Sequence, residues 1–143
     1  MSPYTAKIKR VRHYENKQKE NQMEYSDSLK KNNEFQRVYR KGTSQANRYL
    51  VMYVLENHDR HMENRLGISV SKKVGNSVVR HRVTRLIRES YRLNERSFRQ
   101  GLDIVVVARP NAKDRTYQEI ESALMHLAGR MKIRREAELH VED

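Results

Sequence analysis

Residues 66–91 read LGISVSKKVGNSVVRHRVTRLIRESY, and this stretch decides the fold. Its first residues alternate between apolar and small side chains up to Val70, which predicts a half-buried strand. Gly75 and Asn76 end that pattern. From Ser77 to about residue 98 the apolar residues follow a helical period, so a long amphipathic helix is predicted. Its apolar face consists of Val79, Val83, Leu86, Ile87 and Ser90.

The sequence before this stretch predicts a short amphipathic helix. Asn32 or Asn33 can cap its start, and Gly42 is placed to end it in a left-handed conformation. Three apolar residues fall at helical spacing, namely Phe35, Val38 and Tyr39.

Further segments complete the predicted elements. Residues 49–55 are almost all apolar, which predicts a strand with both faces largely covered, and polar residues 58–64 indicate the turn of a hairpin. Residues 104–108 form a short apolar run typical of a central strand. Thr116 and Glu119 form a capping box that opens a last helix. The order is therefore α-β-β-α-β-α, an α+β two-layer sandwich whose long helix connects the second and third strands of a small mixed sheet.

The composition bounds the class of protein. The chain has 143 residues, of which 36% are hydrophobic and 34% charged, and this fits one polar domain. We expect a basic, disordered arm at residues 1–27, a folded domain at residues 28–133 and a frayed acidic tail at residues 134–143. No apolar run reaches the ~18 residues of a membrane span and no signal-peptide core is visible, so a cytoplasmic protein without a membrane partner is expected. The sequence has no Cys, which excludes disulfides, iron–sulfur clusters and Cys-based zinc sites.

Positive charge is concentrated in one part of the chain. The formal net charge is +12, and between Lys72 and Arg99 nine Lys or Arg residues accompany two Glu residues, a local net charge of +7. A solvated helix face normally mixes Glu with Lys in i,i+4 pairs, whereas these like charges repel unless an anionic ligand relieves them. Arg also suits bidentate phosphate contacts. The pattern predicts nucleic-acid binding, and the strand before the helix argues against a helix-turn-helix reader of DNA.

Aromatic residues on the first helix and the first strand leave two interpretations open. Proteins that bind single-stranded nucleic acid stack bases on aromatic side chains beside a positive groove. Aromatic residues at helical spacing are usually core residues, however, and spacing alone favours the core. The residues in question are Phe35, Tyr39, Tyr49 and Tyr53.

No catalytic constellation stands out. His58 and His61 lie in a predicted turn, where no fixed scaffold would hold a metal ion. Ser69 and Ser71 have no His at a motif spacing. Two alternatives stay open at this point: a nuclease that acts alone with metal at the His58–His61 turn, and a ribosome-associated structural RNA-binding protein.

Residues 67–89 closely resemble the signature of the bacterial ribonuclease P protein component. Residues 33–42 resemble the first helix of that family and the residue that ends it. Residues 46–48 resemble the entry to its strand, and residues 103–110 resemble its last strand. The resemblance covers about residues 29–133.

This resemblance implies a function that composition alone does not. The family assists a catalytic RNA that removes the 5′ leader of precursor tRNA, and that RNA with its bound Mg²⁺ carries the chemistry. No catalytic or metal-binding residue of the protein and no obligate protein partner are implied. The Arg-rich helix and the loop before it would bind the RNA subunit through Lys72, Lys73, Asn76, Arg80, His81, Arg82, Arg85 and Arg88. The cleft between the first helix and the sheet would hold the single-stranded leader, which reverses the core interpretation for Phe35, Tyr39 and Tyr53.

The resemblance also implies a ribosomal-protein domain-2-like fold with a left-handed β-α-β crossover, although about 98% of such crossovers are right-handed. Two positions depart from the family pattern. The family usually has Arg-Asn-Arg where this chain has Arg80-His81-Arg82, and a basic residue is common where Thr84 stands. An imidazole cannot reproduce the paired donor and acceptor of an Asn amide.

Overall fold

A five-stranded mixed sheet forms the centre of the fold in the computed structural model, which describes residues 23–57 and 63–135. The spatial order of the strands is β1-β4-β5-β3-β2, with β4 parallel to both of its neighbours and β3 antiparallel to both of its own. In chain order the strands are β1 (Ser26–Ser28), β2 (Thr43–Ala46), β3 (Leu50–Glu56), β4 (Asn64–Ser69) and β5 (Leu102–Ala108). The central position of β5 confirms the prediction from its apolar run.

The described chain has three α-helices, namely α1 (Asn32–Lys41), α2 (Ser77–Asn94) and α3 (Tyr117–Arg130), and two 3-10 turns at Glu95–Ser97 and Pro110–Ala112. α2 connects the parallel neighbours β4 and β5, which confirms the predicted β-α-β unit. The Asn76 side chain caps α2 by accepting a hydrogen bond from Val79 N at 3.0 Å. The capping box of α3 is also present, since Glu119 N donates to Thr116 Oγ1 at 3.1 Å. The predicted α+β class with a mixed sheet is confirmed.

The two faces of the sheet are packed unequally. Alternate residues of β3, β4 and β5 point to α2 and α3, and this face holds most of the buried apolar side chains, here called the main core. On the opposite face α1 covers a smaller cluster of Leu29, Val38 and Val105. The α1 side therefore keeps part of the sheet accessible.

Two expectations about β3 are wrong. It does not form a hairpin with β4, because β5 lies between them and pairs with both. Residues 58–62 of the expected turn lie outside the described residues. Only one face of β3 is fully covered, since Val51, Tyr53 and Leu55 on the α1 side are half-buried.

Both expected ends of α1 also differ in detail. Its N-cap is Lys31 rather than Asn32 or Asn33, because the Glu34 carboxylate accepts hydrogen bonds from the backbone N–H groups of Lys30 and Lys31, each at 3.1 Å. Gly42 is extended, with a φ of −82°, and not left-handed. Glycine is needed there because a Cβ would lie 2.6 Å from Val54 O and 2.7 Å from Val38 O.

The folded part that the structure describes extends before the expected boundary at residue 28. β1 includes Ser26 and Asp27 and pairs with β4, so these two residues belong to the sheet rather than to the arm. At the other end, Arg135 N donates to Ser97 O at 2.8 Å. Residues 1–22 of the arm and 136–143 of the tail lie outside the described residues.

Candidate nucleic-acid interface

Half-buried apolar side chains lie beside α1, on the face of the sheet that α1 covers only in part. The ring of Phe35 packs over Gly67 of β4, where an added Cβ would lie 2.7 Å from the ring. The rings of Tyr39 and Tyr53 meet edge to face, with centroids 4.9 Å apart. In the next row of this face, Val51 and Val107 pair across β3 and β5 and are half-buried. We call the set of Phe35, Tyr39, Tyr53, Val51 and Val107 the aromatic cleft.

The structure brings together the three aromatic residues that the resemblance implies. Phe35, Tyr39 and Tyr53 all contact the small apolar cluster under α1, yet all three are only half-buried. They therefore stabilise the packing of α1 and also present apolar surface to solvent. Tyr49 differs from them, because it packs against the main core at the other side of the sheet.

A buried ion pair fixes α1 beside this cleft, and the sequence analysis did not find it. Arg65 of β4 is 7% exposed and binds Asp103 of β5 through two hydrogen bonds of 2.9 and 2.7 Å. Its third contact is with Glu34 of α1, at 2.6 Å. Asn57 Nδ2 donates to Asp103 at 2.8 Å. This group of four residues, the Arg65 clamp, ties α1 to two strands where apolar contacts are few.

The clamp gives stability a specific pH dependence. Backbone hydrogen bonds from Lys31 and Lys30, together with Arg65, lower the pKa of Glu34 from 4.5 to about 2. A carboxyl group with a depressed pKa stabilises the fold above its unfolded pKa and loses that contribution as pH falls through the folded pKa. We therefore expect Glu34→Gln to be less stable than the unchanged protein at pH 7, with a difference that shrinks between pH 4.5 and pH 2. Urea unfolding of both proteins across this range tests it, and a constant difference would contradict it.

The basic residues among the predicted RNA contacts form one surface, exposed except for the half-buried Arg80. The loop between β4 and α2 is anchored by Val74, which is 3% exposed, and presents Lys72 and Lys73 to solvent. The first turns of α2 continue this surface. We call the whole set the basic surface, made of Lys72, Lys73, Arg80, His81, Arg82, Arg85 and Arg88.

Three residues of this region have roles within the protein itself. Asn76 uses Oδ1 to cap α2. Arg82 donates to Arg115 O at 2.9 Å, which fixes its side chain against the segment before α3. Thr84 Oγ1 donates to Arg80 O at 2.8 Å, so this residue, at a position where the family often has a basic one, turns its hydroxyl toward its own helix.

The two acidic residues of the Arg-rich stretch are both engaged away from the basic surface. Glu89 pairs with Arg92. Glu95 is 5% exposed and accepts hydrogen bonds from Glu24 N at 2.7 Å and Ser26 Oγ at 2.9 Å. Glu95 thus ties residues 24–26 to the end of α2, and among the described residues no carboxylate forms an ion pair with the basic surface.

The cleft and the basic surface adjoin at one end of the sheet. β4 and β5 are parallel, so their carboxyl ends lie at the same edge, and Ser69 pairs with Val107 in the last row there. The chain leaves β4 at Ser69 and reaches Lys72 three residues later. A ligand that occupies the aromatic cleft therefore lies close to the basic loop.

The described residues contain no group of three or more His, Asp or Glu side chains that could hold a metal ion. The sequence offered His58 and His61 only as a weak candidate metal site, and both lie outside the described residues. Among the helices described, none is long and apolar enough to cross a membrane.

A basic loop and an Arg-rich helix that start at the same edge of a sheet as half-exposed aromatic rings are typical of proteins that bind single-stranded or structured RNA. Comparison with known proteins gives the family. Residues 23–132 match the family model described as Ribonuclease P. The ribonuclease P protein component of Lachnoclostridium phytofermentans is 63% identical over 108 residues, covering 76% of this chain and 91% of its own. That of Alkaliphilus metalliredigens is 55% identical over 111 residues, covering 78% and 98%.

Solved structures agree with these relatives. The RNase P protein of Staphylococcus aureus has a TM-score of 0.70 at 42% identity, covering 77% of this chain and 99% of its own. That of Thermotoga maritima has a TM-score of 0.66 at 28% identity, covering 73% and 96%. The chain belongs to the ribonuclease P protein family. Its role is that of a protein subunit of this tRNA-processing endoribonuclease, with ribonuclease P RNA as its partner, and the ribosome-associated alternative is not favoured.

Proposed function

We propose that this subunit binds ribonuclease P RNA through the basic surface and holds the single-stranded 5′ leader of precursor tRNA in the aromatic cleft. The observation that carries the proposal is the meeting of these two regions at the carboxyl ends of β4 and β5. One RNA bound along α2 and a second strand in the cleft would lie side by side. Half-exposed aromatic rings offer stacking surfaces for unpaired bases of any sequence.

The proposed contacts to the RNA subunit differ in kind. Exposed Lys and Arg side chains neutralise phosphates, and Arg can do so with two hydrogen bonds. Asn76 acts mainly by holding the start of α2, and His81 presents a single donor where the family usually has an amide. The set is Lys72, Lys73, Asn76, Arg80, His81, Arg82, Arg85 and Arg88, and the leader contacts are Phe35, Tyr39 and Tyr53.

In this proposal the catalytic chemistry belongs to the RNA and to Mg²⁺ bound mainly by it. Mg²⁺ prefers oxygen ligands, and the described residues gather no carboxylate cluster that would supply them. The protein contributes by binding and positioning RNA. A cytoplasmic location fits a basic chain without Cys.

Cleavage of precursor tRNA at low Mg²⁺ tests the proposal directly. We expect this protein to accelerate cleavage by ribonuclease P RNA, because its cations relieve phosphate repulsion that otherwise requires more Mg²⁺. The protein without RNA should leave precursor tRNA intact. No stimulation across a Mg²⁺ titration would contradict the proposal, and cleavage by protein alone would favour the independent-nuclease hypothesis.

Arg85→Ala tests the basic surface in particular. Loss of one phosphate contact should weaken binding to ribonuclease P RNA and reduce the slope of log affinity against log salt by about 0.7–0.9. Lys30→Ala is the matched control, since Lys30 is also exposed but lies between β1 and α1. An Arg85→Ala slope equal to that of the control would show that Arg85 contributes only general charge.

A further inference from the structure

A second basic region lies outside the basic surface, at the end of the sheet. An open hollow of about 390 Å³ separates the start of β3 from the segment that connects β5 to α3. Its cationic lining consists of Arg48, Lys113 and Arg115, with Asp114 as the one acidic residue among those that line it. The ring of Tyr49 forms part of its wall. Three cations with one carboxylate make this hollow suited to an anion.

The frame around the hollow is held in place before any ligand binds. Asn47 Oδ1 accepts hydrogen bonds from Tyr49 N at 3.2 Å and from Leu50 N at 3.0 Å, which fixes the turn that carries Arg48. On the other side, Ala112 is fully buried and accepts from Arg115 N at 3.3 Å. A site whose backbone is already ordered loses less entropy when it binds.

Arg115 is positioned by its neighbours but keeps donor capacity. Its guanidinium lies over the ring of Tyr49, 5.4 Å from the centroid. Its ion pair with Glu119 is long, at 3.5 Å, and partly exposed, so it is weak. Its Nε is buried and has no hydrogen-bond partner among the described residues. A phosphate in the hollow would compete for the Arg115 guanidinium only with this weak ion pair.

The hollow is continuous with the basic surface rather than with the aromatic cleft. Arg82 of α2 donates to Arg115 O at 2.9 Å, so the two regions touch. Tyr49 packs against the main core, on the side of the sheet that carries α2 and α3. The aromatic cleft lies on the opposite face, under α1.

We propose that this hollow is a further phosphate-binding site for the backbone of ribonuclease P RNA, formed by Arg48, Lys113 and Arg115. It extends the RNA contact from α2 around the end of the sheet. The inference rests on the proposed function, because it assigns a second contact to the same RNA partner.

The test compares two double variants of the full chain in binding to ribonuclease P RNA alone, over a series of salt concentrations. Arg48→Ala with Lys113→Ala removes two cations from the hollow. Lys30→Ala with Lys41→Ala removes two exposed cations at the ends of α1. We expect the hollow variant to bind more weakly and its salt slope to fall by about 1.4–1.8, as for two lost phosphate contacts. The control should retain nearly the full slope, and unfolding midpoints should show that both variants fold.

Equal slopes for the two double variants would overturn the inference. If Arg85→Ala weakens RNA binding in that case, the proposed function stands and only the hollow is excluded. If Arg85→Ala also has no effect, the proposed function fails with it. A loss seen only with precursor tRNA, and not with the RNA subunit, would assign the hollow to the substrate and likewise overturn the inference.

Discussion

Replacing Asp103 by Ala is expected to lower the free energy of unfolding by about 3–5 kcal/mol, the usual cost of removing one partner of a buried ion pair, because Glu34 accepts only one of the three hydrogen bonds that Arg65 donates. Asp103 is 1% exposed and binds Arg65 through both carboxylate oxygens. Arg65 itself is 7% exposed, so water cannot replace the lost carboxylate freely. Asn57 would lose an acceptor in the same substitution.

Urea unfolding of the unchanged protein and of three variants measures this change in the free energy of unfolding. The matched control is Asp27→Ala, because Asp27 is an exposed acidic residue of the edge strand β1. The double variant Arg65→Met with Asp103→Ala removes both charges of the pair, and we expect it to be more stable than Asp103→Ala alone. A loss in Asp103→Ala no larger than that of the control would show that the clamp contributes little.

Phe35→Ala is expected to weaken binding of precursor tRNA by the assembled enzyme by roughly 5- to 150-fold, if one stacked base contributes about 1–3 kcal/mol. Binding of mature tRNA, which lacks the leader, should not change. Affinities of the enzyme for the two RNAs, measured at one salt concentration, give the result. The comparison isolates the leader because the two RNAs share the rest of their structure.

Phe35→Leu separates stacking from packing at the same position. Leucine fills much of the space over Gly67 but lacks an aromatic face. If Phe35 stacks on the leader, Leu should bind precursor tRNA almost as weakly as Ala while restoring thermal stability. If Phe35 serves only the packing of α1, Leu should restore both, and Ala should weaken binding of both RNAs alike.

The elements with strong periodic patterns were predictable from the sequence. The alternation of apolar residues after Leu66 lies in β4, and the helical period after Ser77 lies in α2. The capping box of Thr116 and Glu119 marks the start of α3. These signals are local, because burial of one face dictates which positions are apolar. The polar strands β1 and β2 were missed, since they join the sheet through backbone hydrogen bonds at its edges and bury little apolar surface.

The contacts that join distant segments were not predictable. In the sequence, Arg65 lies 31 residues from Glu34 and 38 residues from Asp103, and no local period connects the three. The one available signal was a charged residue within the otherwise apolar β5. Glu95 gave no signal of its role either, because its partners lie about 70 residues away in the sequence. The hairpin expectation for β3 failed for a related reason, since β5 comes from much later in the chain to lie between two strands that are neighbours in sequence.

Alternate residues of the central strand β5 contribute to the packing of opposite faces of the sheet. Leu102, Ile104 and Val106 belong to the main core, while Val107 lies on the other face and is part of the aromatic cleft. Because neighbouring residues of a strand point to opposite faces, a change at Val107 can reshape the cleft without opening the main core. The shape of the cleft and the stability of the main core are therefore separable along a single strand.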